Sequence, residues 1–320
     1  MNITIAPRAR LRQRPRTGTR RLAGKMLSQW QLYLLISVPT AFLIVFNYLP
    51  MVGAQLAFRD YSPLQGIWGS PWIGTQEFSA FFASPYFWPI IKNTLVLGLY
   101  SLLVGTPAAI ILALLLNEVK HGWFKRFTQT VTFFPYFISV VVLVGMMNIL
   151  LSPTVGILAQ VFALFGNHNA PDLLGDPNAF ASLYVWSGVW QTSGWSAVIY
   201  LAALATVDPS LYEAAQIDGA SRWQRMLHID LAAIRPTIVV LVILAAGSVM
   251  AVGFEKVYLM QNPLNLSTSE VINTYVYKIG LLNDDFSFSS AVGLFNSVIN
   301  FVLIVVVNLV ARRVSDTSLF

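Results

Sequence analysis

Cysteine is absent and charge is scarce: the 320-residue chain contains no Cys, and Asp, Glu, Lys and Arg together make up 11% of it. Without thiols there is no disulfide framework, no Cys-ligated zinc and no iron–sulfur cluster, and the redox compartment leaves no mark. Histidine is almost as rare. The three residues His121, His168 and His228 are scattered, none with a second ligand at metal-binding spacing, and read as surface or interface positions. An ordinary soluble domain carries roughly twice this charged fraction, so composition argues against a single water-soluble core.

Apolar length takes the place of charge. Hydrophobic residues make up 56% of the chain, and six apolar stretches run from Leu32 to Met51, Thr94 to Leu116, Val131 to Leu151, Phe180 to Val207, Thr237 to Phe254 and Ala291 to Ala311. Each is long enough to cross roughly 30 Å of hydrocarbon as a helix. None carries Asp, Glu, Lys or Arg in its interior, where one charge costs about 2.5 to 3.5 kcal/mol on the insertion scale. Internal glycines and prolines such as Gly105, Pro107, Pro135 and Gly194 are tolerated in membranes, where buried neighbours re-satisfy the backbone.

Orientation follows from the 20 Lys and Arg. With a cytoplasmic N-terminus, only Arg59, Lys92, Lys256 and Lys278 fall outside, and the rest fall in the tail and the inner loops. The positive-inside rule then predicts an even number of spans and two cytoplasmic termini. The Arg8 to Lys25 tail reads as a topogenic, lipid-facing segment rather than a nucleic-acid-binding arm. Leu32 to Met51 is too long for a signal-peptide core and reads as retained. The division is therefore a basic tail over 1–30, a membrane domain over 31–313 and a short tail over 314–320. An outer segment over 52–93 is rich in Gly, Pro and aromatics that suit the membrane interface. The apolar run 152–166 is too short to span and reads as an interfacial or re-entrant helix.

The loop 208–235 has the pattern of structure rather than linker. Asp208 is a helix cap with Pro209 at the first helical position. The helix stops at Gly219, which takes a left-handed turn readily. Ser221 with Gln224 forms a capping box that starts a second helix. The arrangement predicted is helix, turn, helix on the cytoplasmic face.

Glu213-Ala214-Ala215-Gln216-Ile217-Asp218-Gly219-Ala220, followed by Ile229 and Leu231, resembles the EAA loop of binding-protein-dependent ABC permeases. Ala232 stands where that family has Pro, and Met226 where Phe is usual. Phe254-Glu255-Lys256-Val257-Tyr258 with Gln261-Asn262-Pro263, Thr274 to Lys278, and Gly293 to Ser297 are similar to the carbohydrate-uptake branch, in the polysaccharide and oligosaccharide subgroup that includes lipoprotein-type sugar permeases and an alginate importer's permease. The resemblance implies an all-α integral membrane protein with six transmembrane helices, a MetI-like ABC permease core and a cytoplasmic coupling helix. It implies a heterodimer with a second permease, two ATPase subunits that use ATP and Mg, an external solute-binding protein, a saccharide substrate and a bacterial inner membrane, with no cofactor on this chain. The ATPase-coupling residues it marks are Glu213, Ala214, Ala215, Asp218, Gly219, Ala220, Ser221 and Ile229.

No catalytic constellation is present in the sequence. Gly24-Lys25 fails as a P-loop, because Gly18 is one residue too far away and Met26 follows in place of Ser or Thr. An ion-coupled carrier, the main alternative, needs an ionisable group inside a span. Glu255 comes closest, but an interfacial ion pair with Lys256 is the simpler reading. A membrane-embedded transferase is the third. For a saccharide path, amides, hydroxyls and aromatic faces are the natural contacts, and Trp186, Trp190, Gln191, Trp195, Tyr200, Asn296, Ser297 and Asn300 supply them. The same residue types also bridge packed membrane helices.

Overall fold

The computed structural model describes residues 29–119, 122–167 and 169–314. The basic tail, the Gly24-Lys25 pair, Lys120, His121, His168 and residues 315–320 lie outside them. The chain divides into two units, residues 1–54 and 55–320.

In the first unit, α1 (Trp30–Leu43) continues through a π-helical turn, Ile44–Tyr48, into a tighter helix, Leu49–Phe58, that leads into the second unit. Leu35 and Val38 on α1 are exposed, as suits a helix apolar on every side.

The second unit is mostly helical over its described residues. It comprises α2 (Gly66–Gly69), α3 (Gln76–Ala83), α4 (Phe87–Glu118), α5 (Trp123–Phe133), α6 (Val140–Leu150), α7 (Ile157–Leu164) and α8 (Pro177–Leu204). It continues with α9 (Pro209–Ile217), α10 (Arg222–Arg225), α11 (Leu231–Ala246), α12 (Phe254–Met260), α13 (Leu266–Ser269), α14 (Ile272–Tyr277) and α15 (Phe286–Val314). No strand occurs among the described residues; one isolated bridge joins Arg59 to Trp72.

Among the described residues, four helical runs are long and apolar enough to cross a membrane: Trp30–Phe58, Phe87–Glu118, Arg222–Ala246 and Phe286–Arg312. The predicted span 180–207 corresponds to α8, 28 residues long but diluted by Trp, Ser, Gln and Thr, so that it is not among those four.

Two expectations change. The predicted span 131–151 is not straight: Trp123–Phe137 and Val140–Leu150 meet at 95°. Pro135 stands in the tight turn before the break, and the Ser139 side chain caps α6 by accepting from the Val142 N–H. The predicted span 237–254 is displaced. Helix runs unbroken from Arg222 through a π-helical turn, Met226–Asp230, to Ala246 and stops there. Residues 247–253 are irregular and need side chains to satisfy their backbone.

α4 and α8 pack along each other more extensively than any other helix pair. Gly194 on α8 makes a close approach possible, because a Cβ there would lie 2.1 Å from the Thr132 carbonyl oxygen of α5. One buried cluster, including Leu97, Phe180 and Val257, joins α4, α6, α8 and α12; a second, including Ala113, Leu204, Met226 and Ile234, lies where α4 and α8 meet the start of α11. Beyond α12 the chain wraps around fully buried Asn265, whose amide donates to the Leu174 carbonyl at 2.8 Å and the Met260 carbonyl at 3.0 Å.

Candidate functional site

Two features of the second unit invite a functional reading: the exposed hairpin built on α9 and a cavity between α4, α8 and α11.

The hairpin is made by local chemistry. Asp208 accepts from the Ser210 N–H at 2.9 Å, which holds its carboxyl below the usual carboxylate range, and Pro209 fills the first helical position. At the far end the Ala220 N–H bonds the Ala215 carbonyl at 2.9 Å and the Gly219 N–H bonds that of Gln216 at 3.1 Å. With φ of +77° at Gly219, this is a Schellman ending. Ser221 and Gln224 then exchange capping bonds of 2.8 and 3.3 Å. Glu213, Ala214, Asp218, Gly219 and Ser221 are exposed, while Ala215, Ala220 and Ile229 are half-buried around a pocket of about 190 Å³ shared with Gln224, Arg225 and His228. Ile217 is 87% exposed and Trp223 63%. Bare apolar side chains at the tip of a capped, polar hairpin are the mark of an interaction surface.

The cavity, of about 440 Å³, runs along α8 from Tyr184 to Tyr200, about 24 Å at helical rise. Ser101 and Thr106 of α4, Thr192 and Ser196 of α8, and Ser248 after α11 bring hydroxyls to its wall, and no described charged residue lines it. Trp195 contributes an aromatic face, stacked on Tyr136 at 4.8 Å.

A family model described as "Binding-protein-dependent transport system inner membrane component" matches residues 105–316. The chain belongs to that family. It is 41% identical over 94% of its length to the Bacillus subtilis "Polygalacturonan/rhamnogalacturonan transport system permease protein YteP", also covering 94% of that protein. It is 42% identical to "Protein LplB" of the same organism, with 93% of each covered. Among solved structures, a bacterial ABC transporter "involved in the import of the acidic polysaccharide alginate" superposes with a TM-score of 0.85 at 36% identity, over 92% of this chain and 99% of that one. A second crystal structure, of a bacterial alginate transporter with an "alginate pentasaccharide-bound periplasmic protein", gives 0.85 at 35% identity, over 93% and 100%.

Within this permease the eight path residues read from the sequence do not converge. Trp195 and buried Tyr200 line the cavity; the other six do not. The Trp186 indole donates to the Tyr100 hydroxyl at 3.1 Å, and Trp190 is exposed. Gln191 is buried and donates to the Ile138 carbonyl at 2.7 Å, satisfying a group freed by the break before α6. Asn300 accepts from the Met250 N–H at 3.2 Å, and Asn296 bonds Asn273, which in turn donates to the Val252 carbonyl at 2.9 Å. These asparagines serve the irregular segment after α11. Ser297 bonds its own helix at the Gly293 carbonyl.

Two residues, Tyr212 and Asp230, escaped the sequence reading, and a third, Lys256, sits differently from expectation. Tyr212 of α9 donates to Asp230, whose side chain is fully buried in the π-helical turn. Burial and the Asp230 carboxylate push the Tyr212 hydroxyl above its usual range. Lys256, expected to pair with Glu255, does not: Glu255 is exposed, and the one ion pair among the described residues joins Lys278 to Glu270. Lys256 is buried, donates to the Tyr184 carbonyl at 2.7 Å and sits 4.7 Å from the Tyr184 ring; Tyr184, not Lys256, lines the cavity. It lies on α12, outside the spanning helices, and burial lowers its ammonium to about 8.

Proposed function

We propose that this permease moves an oligo- or polysaccharide inward across the bacterial inner membrane by alternating access, with both termini cytoplasmic. ATP and Mg are bound by two partner ATPase subunits, a second permease completes a heterodimeric pathway, and an external solute-binding protein delivers the saccharide. The chain has no ATPase site of its own. Motion of α9, driven by closure of the ATPases, tilts α8 and α11 and exchanges an inward-facing cavity for an outward-facing one. ATP biases this equilibrium only if the two states differ in their contacts with the ATPases.

The observation that carries the reading is the α9 hairpin: a short rigid helix, fixed at both ends and presenting Glu213, Ala214 and Ile217 to the outside. Small residues permit close approach to a groove, and Glu213 is suited to a basic partner. The cavity's hydroxyls and Trp195 supply hydrogen bonds and a stacking face to sugar rings. Lys256 places a buried cation behind Tyr184, a residue of the cavity wall, which favours an acidic saccharide, as do the names of the polygalacturonan and alginate relatives.

The test is Gly219→Pro combined with Glu213→Ala. Saccharide-stimulated ATP hydrolysis and uptake should both collapse while the permease still inserts and assembles. Normal uptake in that variant would sink the reading.

A further inference from the structure

A coupling helix is useful only if it cannot move without the span it drives, and α9 is loosely attached. Among the described residues, Tyr212 is the one residue of α9 whose side chain hydrogen-bonds another element. Its partner, Asp230, is 0% exposed; its Oδ1 accepts from the Tyr212 hydroxyl, and among the described residues its second oxygen, Oδ2, has no hydrogen-bond partner. Asp230 ends the π-helical turn through which α10 passes into α11. The side chains of Asn117 and Glu118, at the end of α4, face the same tyrosine hydroxyl. One phenol therefore joins the exposed helix to the base of α11, beside the end of α4.

A fully buried carboxylate with a single donor is costly to keep. Packing alone does not call for it, since an apolar pair of similar shape would fill the same space more cheaply. What the pair provides is direction: a hydrogen bond from the phenol to the carboxylate orients α9 against the base of α11, where apolar contact alone would let the helix slide.

We propose that Tyr212 and Asp230 are positioning residues for energy coupling, forming the tie that makes α9 and the base of α11 move as one body. This rests on the reading of α9 as the contact with the ATPases. With the tie broken, ATP is still hydrolysed but α11 no longer follows.

The chain has no cysteine, so a reporter thiol is unambiguous on its band. Ser101→Cys places one on the cavity wall. The assembly is recovered from its native membrane through a tag on this chain, so that its own subunits accompany it, and is labelled with a maleimide dye with and without ATP and vanadate. With Tyr212 intact, the labelling rate of Cys at position 101 should change on ATP and vanadate. Tyr212→Phe should keep most of the ATP hydrolysis yet reduce that change about tenfold, the scale of one lost bond to a charged group. Asp230→Asn, whose amide oxygen still accepts the hydroxyl, should retain part of it.

Three outcomes overturn the proposal. Tyr212→Phe could behave like the parent in both readouts while Gly219→Pro abolishes both, which removes the tie but leaves the coupling helix. Hydrolysis and labelling change could fall together in proportion to the assembled permease recovered, which makes the pair structural only. If Gly219→Pro assembles and leaves both readouts intact, the coupling reading itself fails and takes the tie with it.

Discussion

Every hydrogen bond that caps or turns the α9 hairpin joins residues no more than five apart in sequence. The bonds that hold the cavity's surroundings reach much further: Gln191 to Ile138 spans 53 residues, Met250 to Asn300 spans 50 and Lys256 to Tyr184 spans 72. One region is specified by neighbours, the other by packing. A substitution in the hairpin should therefore damage coupling and leave the permease folded, whereas an equally small change around the cavity should damage the fold.

The hardest break of that contrast is Gly194→Leu. A Cβ at 2.1 Å from the Thr132 carbonyl has nowhere to go, α8 must separate from α5, and the yield of monodisperse permease in detergent should fall to background. Lys256→Met tests whether one distant cation sets the cavity's preference. Since burial lowers this ammonium to about 8, the charge is present below that pH and lost above it. Parent uptake of a galacturonate oligomer should decline as pH rises through about 8. Lys256→Met should be slower at neutral pH, by about tenfold, and flat over the same range. A neutral oligosaccharide transported equally by both would confine the effect to charge.

Gln191→Leu leaves the Ile138 carbonyl unsatisfied at the break before α6. The cost of about 1 to 3 kcal/mol should appear as a lower unfolding temperature in detergent, with no change in saccharide preference. The smallest effect belongs to Ser221→Ala. Loss of the capping box costs about 1 kcal/mol locally, so the unfolding temperature should hold while ATP-driven uptake drops a few-fold. A large loss of thermal stability there would show that the hairpin is not a locally specified element.

The hairpin was legible because Asp208-Pro209, Gly219 and Ser221 with Gln224 each act within one turn of helix. The break before α6 was harder to see. Pro135 and Ser139 were its available signals, but they lie inside an apolar run whose average hydropathy is unchanged by a bend. The early end of α11 had no comparable mark, because Gly247 to Gly253 differ little from the span before them in polarity. Gln191 and Asn300 suggested saccharide contacts because amides suit sugars; each bonds a backbone group left without a helical partner by the break or the irregular segment, and no pattern along the chain announces such a group. Lys256 beside Glu255 suggested an ion pair, yet adjacent residues on a helix do not face each other.

Apolar run length and local capping signals give a helical membrane chain and a capped helix between the fourth and fifth apolar stretches, since both depend on solvent transfer and near-neighbour bonding. Only the packed helices decide where spans bend, which polar side chains face a cavity and which repair a broken backbone, and that Tyr212 meets Asp230. Those outcomes depend on which residues distant in sequence come within hydrogen-bonding distance, and no pattern along the chain encodes that distance.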